Sequence, residues 1–172
     1  MTTLTLRMNH ASTPIGDILI LSDPEGLVRA IEFKDRAHRM HRLLRAQYGA
    51  NAVTVEDSRG PVDCVRKVRA YFQGDLAALD QIGIATCGTP FQRSVWTALR
   101  LVGAGQTISY GGLAARVGRP AAARAVGLAN ATNPIPLIVP CHRVIGADGS
   151  LTGYGGGLDR KRWLLDHERT PH

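Results

Sequence analysis

A change of character at Gly88-Thr89-Pro90 limits what this chain can fold into more than any other feature. Before it, apolar residues alternate or come in short bursts between turn residues, the pattern of strands mixed with helices. After it, they recur at helical spacing in short segments divided by glycine turns. A chain of 172 residues with two such patterns is expected to form two small domains, residues 1–88 and 89–172. The fold class this implies is α+β: an α/β domain, then a helical one.

In the first half, Thr3–Met8, Asp17–Leu21 and Leu27–Phe33 read as strands, the last two flanking the turn Asp23-Pro24-Glu25-Gly26. Residues 35–48 carry Met40, Leu43, Leu44 and Tyr48 at helical spacing. Residues 49–60 read as irregular. Pro61 is expected in the first turn of a second helix ending at Phe72, with Gly74–Thr86 returning as a last strand. His38 and His41 lie three apart on the first helix and are expected to face solvent rather than a metal.

In the second half, Thr89 is placed to cap a helix starting at Pro90, with Phe91, Val95, Trp96 and Leu99 on one face. Helices over Ser109–Val117 and Pro120–Asn130, joined at Gly118-Arg119, have the length of a helix-turn-helix. The second of these offers Ala121, Ala122, Ala123, Ala125 and Gly127, with Arg124 the single long polar side chain before Asn130. Reading a base code takes several long polar side chains, so this helix is not a sequence-specific major-groove reader. Small residues let a backbone approach a surface closely, and a lone guanidinium can replace a stacked base or neutralise phosphates. A tightly packed helix pair with an incidental arginine is the alternative. Charge favours a polyanionic partner: residues 89–172 hold 10 Lys/Arg against 4 Asp/Glu, whereas residues 1–88 hold 11 against 10.

The three cysteines, Cys64, Cys87 and Cys141, are odd in number and irregular in spacing, which suits neither a disulfide framework nor a metal motif. With no signal peptide and no membrane-length apolar run, a soluble cytoplasmic protein with free thiols is expected. One thiol stands out. Cys141 follows the apolar, proline-pinned run Asn133–Pro140 and precedes His142 in Pro140-Cys141-His142-Arg143-Val144. A cysteine on a rigid segment beside an imidazole can be held as a thiolate, directly or through a water. The imidazole then needs a carboxylate to fix its tautomer, for which Glu168, Asp148 and Asp166 all compete. An inert buried cysteine is the alternative. The glycine-rich run Gly153-Tyr154-Gly155-Gly156-Gly157 lets backbone approach a ligand, but it lacks the Lys-Ser/Thr of a phosphate loop, and Lys161 falls in the next helix.

Taken together, residues 89–168 resemble the O6-alkylguanine-DNA alkyltransferases. The resemblance is carried by Phe91-Gln92…Val95-Trp96, Ser109-Tyr110-Gly111, Ala123–Gly127, Asn133-Pro134, Pro140–Val144, Gly153–Gly157 and Trp163-Leu164-Leu165…Glu168. It implies a ribonuclease-H-like N-terminal domain, a cysteine that takes an alkyl group from guanine in a single turnover, and no cofactor or metal. The partner implied is double-stranded DNA, bound in the minor groove by a monomer without sequence preference, with cooperative binding left open. Cys141 matches the alkyl acceptor, and His142 and Glu168 its activating relay. Asn133 matches a tie between recognition helix and active site; Tyr110 matches the residue that rotates the nucleotide and supplies a proton. Arg124 matches the arginine that fills the gap of a flipped base, with Arg119, Ala125 and Gly127 as further DNA contacts. Val144, Tyr154 and Gly155 match the guanine pocket. O4-alkylthymine is a second candidate substrate.

The chain departs from many relatives at Gly111-Gly112, at Gly103-Ala104-Gly105 and at Gly155, where some place a serine. No cysteine-rich metal domain precedes it, which disfavours the transcription-activating variant. The non-enzymatic alkyltransferase-like proteins carry tryptophan at the acceptor position, and Cys141 argues against that rival. A helix-turn-helix regulator or a thiol hydrolase would show, respectively, sequence-specific DNA binding or multiple turnovers without DNA.

Overall fold

The computed structural model describes residues 3–58 and 62–172, which form two compact units, Met1–Cys87 and Gly88–His172. The expected position of Pro61 lies outside the described residues.

The first unit is a four-stranded sheet in the order β3-β2-β1-β4: β1 (Leu4–Ala11), β2 (Ile18–Ser22), β3 (Val28–Phe33) and β4 (Val53–Asp57). The first three form an antiparallel meander, and β4 runs parallel to β1. The turn before β3 is made by Asp23, whose carboxylate accepts from Leu27 N (2.9 Å) and Arg29 Nε (2.7 Å), while Gly26 takes φ +86°. After a short 3₁₀ turn, helix α1 (Ala37–Tyr48) provides the crossover to β4 that a parallel pair needs. Its Met40 and Leu44 pack with Leu6, Leu19, Leu21 and Ala30 of the sheet. Helix α2 (Asp63–Phe72) lies against β1 and buries Cys64, Val65, Val68 and Tyr71. His38 and His41 are both exposed.

Two expectations for this unit are corrected. Residues 49–60 are not irregular throughout, because β4 occupies Val53–Asp57; Val53 is half-buried and the other four residues are exposed, and its one alternation, Val53-Thr54-Val55, is too short to mark a strand. Gly74–Thr86 is not a strand. It folds into a 3₁₀ turn at Ala78–Gln81 that satisfies its backbone locally, and only Ile84 bridges to Val28.

The second unit begins with α3 (Pro90–Arg100), capped as its sequence implied. Thr89 Oγ1 accepts from Gln92 N (3.2 Å) and Gln92 Oε1 from Thr89 N (2.9 Å). Thr89→Ala should lower stability by about 1 kcal/mol, read as a shift of the urea midpoint. Val95, Trp96 and Leu99 are buried, and Trp96 Nε1 donates to Ala129 O (2.9 Å). Helices α4 (Tyr110–Arg116), capped by Ser109, and α5 (Ala123–Ala131) make the helix-turn-helix, turning at Gly118 with φ +75°. Here too a boundary is corrected: α5 starts at Ala123 rather than Pro120. Ala122 N closes a turn onto Arg119 O, and no side chain caps the helix, so the alanine run carried no start signal. The two-residue strands β5 (Ile108–Ser109) and β6 (Val144–Ile145) pair in parallel, and α6 (Leu158–Arg169) ends the unit.

Candidate active site

The segment before Cys141 is held from within. Asn133 Nδ2 donates to Val139 O (2.8 Å), Ile135 N donates to Asn133 Oδ1 (2.9 Å), and every residue from 133 to 140 is buried. Leu137 is the one non-glycine residue with positive φ (73°) among the described residues, a strained backbone held by buried neighbours. The chain then makes a 3₁₀ turn, Cys141–Arg143, and β6 pairs with β5 directly before α4. The site is therefore anchored beside the helix-turn-helix. Cys141 is 4% exposed and His142 fully buried.

His142 Nε2 lies 2.8 Å from Glu168 Oε1. Arg143 grips the same carboxylate with Nε (3.0 Å) and Nη2 (2.8 Å), and its Nη1 donates to Val102 O (2.6 Å). Gly105 N donates to Glu168 Oε2 at 3.4 Å from a backbone with φ +80°. Burial alone would raise the Glu168 carboxyl, but the hydrogen bond from His142, then the hydrogen bonds and charge of Arg143, hold it well below the usual carboxylate range. Burial pushes the His142 imidazole down, with the cations Arg143 and Lys161 adding to it against the pull of Glu168. An ionised carboxylate can only accept, so the neutral imidazole carries its hydrogen on Nε2. Nδ1, which has no hydrogen-bond partner among the described residues, keeps its lone pair and is the basic nitrogen. Asp148 is exposed and bonded to Ser150, and Asp166 is exposed, so neither competes with Glu168.

Lys161 also belongs to this site. Its buried Nζ donates to Val144 O (2.6 Å) and Thr152 O (2.7 Å), and Thr152 Oγ1 meets Tyr110 Oη at 2.8 Å. Burial pushes its ammonium below the ordinary lysine range, and a thiolate at Cys141 would pull it the other way. Tyr110 is thus joined to the Cys141 turn through one lysine and one threonine. The Tyr154 ring meets His142 edge-on at 6.4 Å between centroids, and Val144 is fully buried, with half-buried Gly155 next along the loop. Gly127 lies close enough to the Tyr110 ring that an added Cβ would touch it at 3.6 Å. Arg124 and Ala125 are on the exposed face of α5, apart from this cluster, and exposed Arg119 sits over the Phe91 ring at 5.6 Å.

Sequence reasoning set Lys161 aside and gave Arg143 no role. A signal for Lys161 was present, because Lys161, Leu164, Leu165 and Glu168 recur at the spacing of one helix face, and all four are buried. Among the described residues no group of three or more His, Cys, Asp or Glu could hold a metal, and no helix is long and apolar enough to cross a membrane.

Residues 6–86 match the model of the 6-O-methylguanine DNA methyltransferase ribonuclease-like domain, and residues 90–170 that of the same family's DNA-binding domain. The chain belongs to the 6-O-methylguanine DNA methyltransferase family. It is 48% identical to the methylated-DNA–protein-cysteine methyltransferase of Salmonella typhimurium, over 96% of both chains. The relative from Methanosarcina acetivorans is 44% identical over 91% of this chain and 94% of its own. Among solved structures, the Mycobacterium tuberculosis OGT in complex with DNA superposes with a TM-score of 0.78 at 38% identity, covering 96% of this chain and 93% of that one. The family accounts for both units: a ribonuclease-like α/β unit, and a helical unit carrying the helix-turn-helix.

Proposed function

We propose that this chain extrudes an O6-alkylated guanine from duplex DNA through the minor groove and moves the alkyl group onto Cys141, once per protein molecule. Family membership makes it a DNA-binding methyltransferase of DNA repair. The finer reading is carried by the buried His142–Glu168 contact of 2.8 Å beside Cys141. His142 Nδ1 takes the thiol proton through a bridging water, and Glu168 steadies the imidazolium that forms. The thiolate attacks the sp³ carbon in line with the C–O bond. The S–C bond forms and the C–O bond breaks with its electron pair going to guanine O6; Tyr110 gives its hydroxyl proton to the guanine and is reprotonated through solvent by the His142 imidazolium, which returns to the neutral ring. Water does not hydrolyse the resulting thioether, so each molecule acts once.

Burial of Cys141 supports extrusion, since a base stacked in a duplex cannot reach a thiol that is 4% exposed. In this reading Arg124 fills the vacated stack, Ala125 and Gly127 admit the helix to the minor groove, and Arg119 neutralises phosphate. Asn133 keeps the segment between α5 and Cys141 rigid, and Val144, Tyr154 and Gly155 enclose the purine. O4-alkylthymine has the same kind of alkyl–oxygen bond and is the second substrate to assay. The protein acts as a monomer in the cytoplasm, where its thiols stay reduced, and binding density along DNA tests for cooperativity.

Intact-protein mass spectrometry after mixing with duplex DNA bearing O6-methylguanine should find one added methyl, on Cys141, saturating at one equivalent. An unchanged mass refutes the reading. Arg124→Ala should slow transfer from duplex by roughly 10- to 100-fold, the scale of one unstacking event, and leave reaction with an O6-alkylguanine free base nearly unchanged. Equal losses on both substrates would remove Arg124 from the stack.

A further inference from the structure

Thr152 lies in the loop between β6 and α6, yet it is fixed at both its main chain and its side chain. Its carbonyl accepts from the buried Lys161 Nζ at 2.7 Å, and the same ammonium holds Val144 O at 2.6 Å beside the Cys141 turn. Its hydroxyl meets Tyr110 Oη at 2.8 Å. Tyr110 is the first residue of α4, and Gly127 backs its ring closely enough that an added Cβ would touch it at 3.6 Å. Both Tyr110 and Thr152 are half-buried, so the pair is open to an incoming base. A buried cation thus clamps a loop residue with its hydroxyl resting on the phenol.

Either hydroxyl can donate in this pair. A phenol that gives its proton to a base must point that hydrogen away from Thr152, and Oη then accepts from Thr152 Oγ1. As the proton leaves, the phenol oxygen gains negative charge. A hydrogen bond to an ionised oxygen is roughly twice as strong as one to a neutral oxygen. The contact therefore strengthens on the way to the transition state, which is the condition for raising a rate.

We propose that Thr152 is a positioning residue for proton delivery: its hydroxyl turns the Tyr110 O–H toward the leaving guanine and bonds the phenol oxygen as the proton departs. The inference rests on the alkyl-transfer reading above and deepens it. Thr152 keeps its own proton throughout. Tyr110 loses one proton to guanine and regains one from the His142 imidazolium through solvent.

The test is a double-variant cycle, read as the single-turnover rate of methyl appearance on Cys141 from duplex bearing O6-methylguanine. Thr152→Val replaces the hydroxyl by a methyl group, leaves the carbonyl for Lys161, and should slow transfer by about tenfold. Thr152→Ser keeps the hydroxyl and should stay within about twofold of wild type. In a Tyr110→Phe background, Thr152→Val should change the rate by less than about twofold, because the oxygen it acts on is gone. Thr152→Ala takes its place if valine does not fold. A merely structural threonine would lose the same factor in both backgrounds, and that result overturns the proposal. So does a serine variant as slow as the valine one, or a valine variant as fast as wild type. A Tyr110→Phe protein that transfers at the wild-type rate overturns it too, while leaving transfer to Cys141 standing. No methyl on the wild-type protein would instead overturn the alkyl-transfer reading, and this inference with it.

Discussion

Cys141→Ser should abolish methyl transfer, with a fall of about 10⁴-fold or more, while duplex binding stays within about threefold. The cause lies in the chemistry of the acceptor rather than in its position. A neutral imidazole polarised by a carboxylate can take the proton of a thiol near neutral pH, because thiol and imidazole acidities are close. A serine hydroxyl lies far above that range, and its oxygen is a poor nucleophile toward an sp³ carbon. In the proposed reading DNA is held by α4, α5 and the turn between them, whose exposed Arg116, Arg119 and Arg124 are untouched by the substitution. Single-turnover kinetics with a labelled methyl group, beside a binding titration, separate the two quantities. Removal of the lesion by the serine variant would show that Cys141 is not the acceptor.

Local chemistry decided how much of this was legible in the sequence. The start of α3 was readable because Thr89 and Pro90 mark a helix entrance, and the Thr89 side chain does make the capping bond. The meander was readable because β2 and β3 are almost wholly buried and their turn is built by Asp23 and Gly26. β4 was not, because an edge strand with four exposed residues keeps only the brief alternation Val53-Thr54-Val55. The site was legible in part for the same kind of reason. A proline-pinned cysteine beside a histidine declares its chemistry locally. The carboxylate that orients that histidine is 26 residues away and had rivals until the fold brought it to 2.8 Å. The buried cations were harder still. Lys and Arg are read as surface residues by default, and only tertiary partners show that Lys161 holds two carbonyls and Arg143 a carboxylate.

Arg143 makes Glu168 a structural residue, apart from its place in the proposed relay. Glu168→Leu should destabilise the protein by about 3–5 kcal/mol, because it leaves the Arg143 guanidinium buried without its partner. In a chain of this size that corresponds to a fall of roughly 10 °C in Tm. Adding Arg143→Met should recover much of the loss, since what destabilises is the unpaired charge rather than the absence of an ion pair. A double variant no more stable than Glu168→Leu alone would contradict this.

The wild-type pH profile follows from the same contacts. His142 is held below its ordinary value of 6.5, so under acid the unfolded chain binds a proton that the folded one refuses. Stability should therefore begin to decline as pH falls below about 6.5. Glu168 is also depressed, so its contribution is present above the ordinary carboxylate value of 4.5 and is lost as pH drops toward the folded one. Both groups act in one direction, giving a decline in two stages. The upper stage should vanish in His142→Gln and the lower should shrink in Glu168→Leu. Urea midpoints measured from pH 2 to pH 8 test this, and a stability that rises on acidification through the histidine range would mean that His142 folds as the imidazolium.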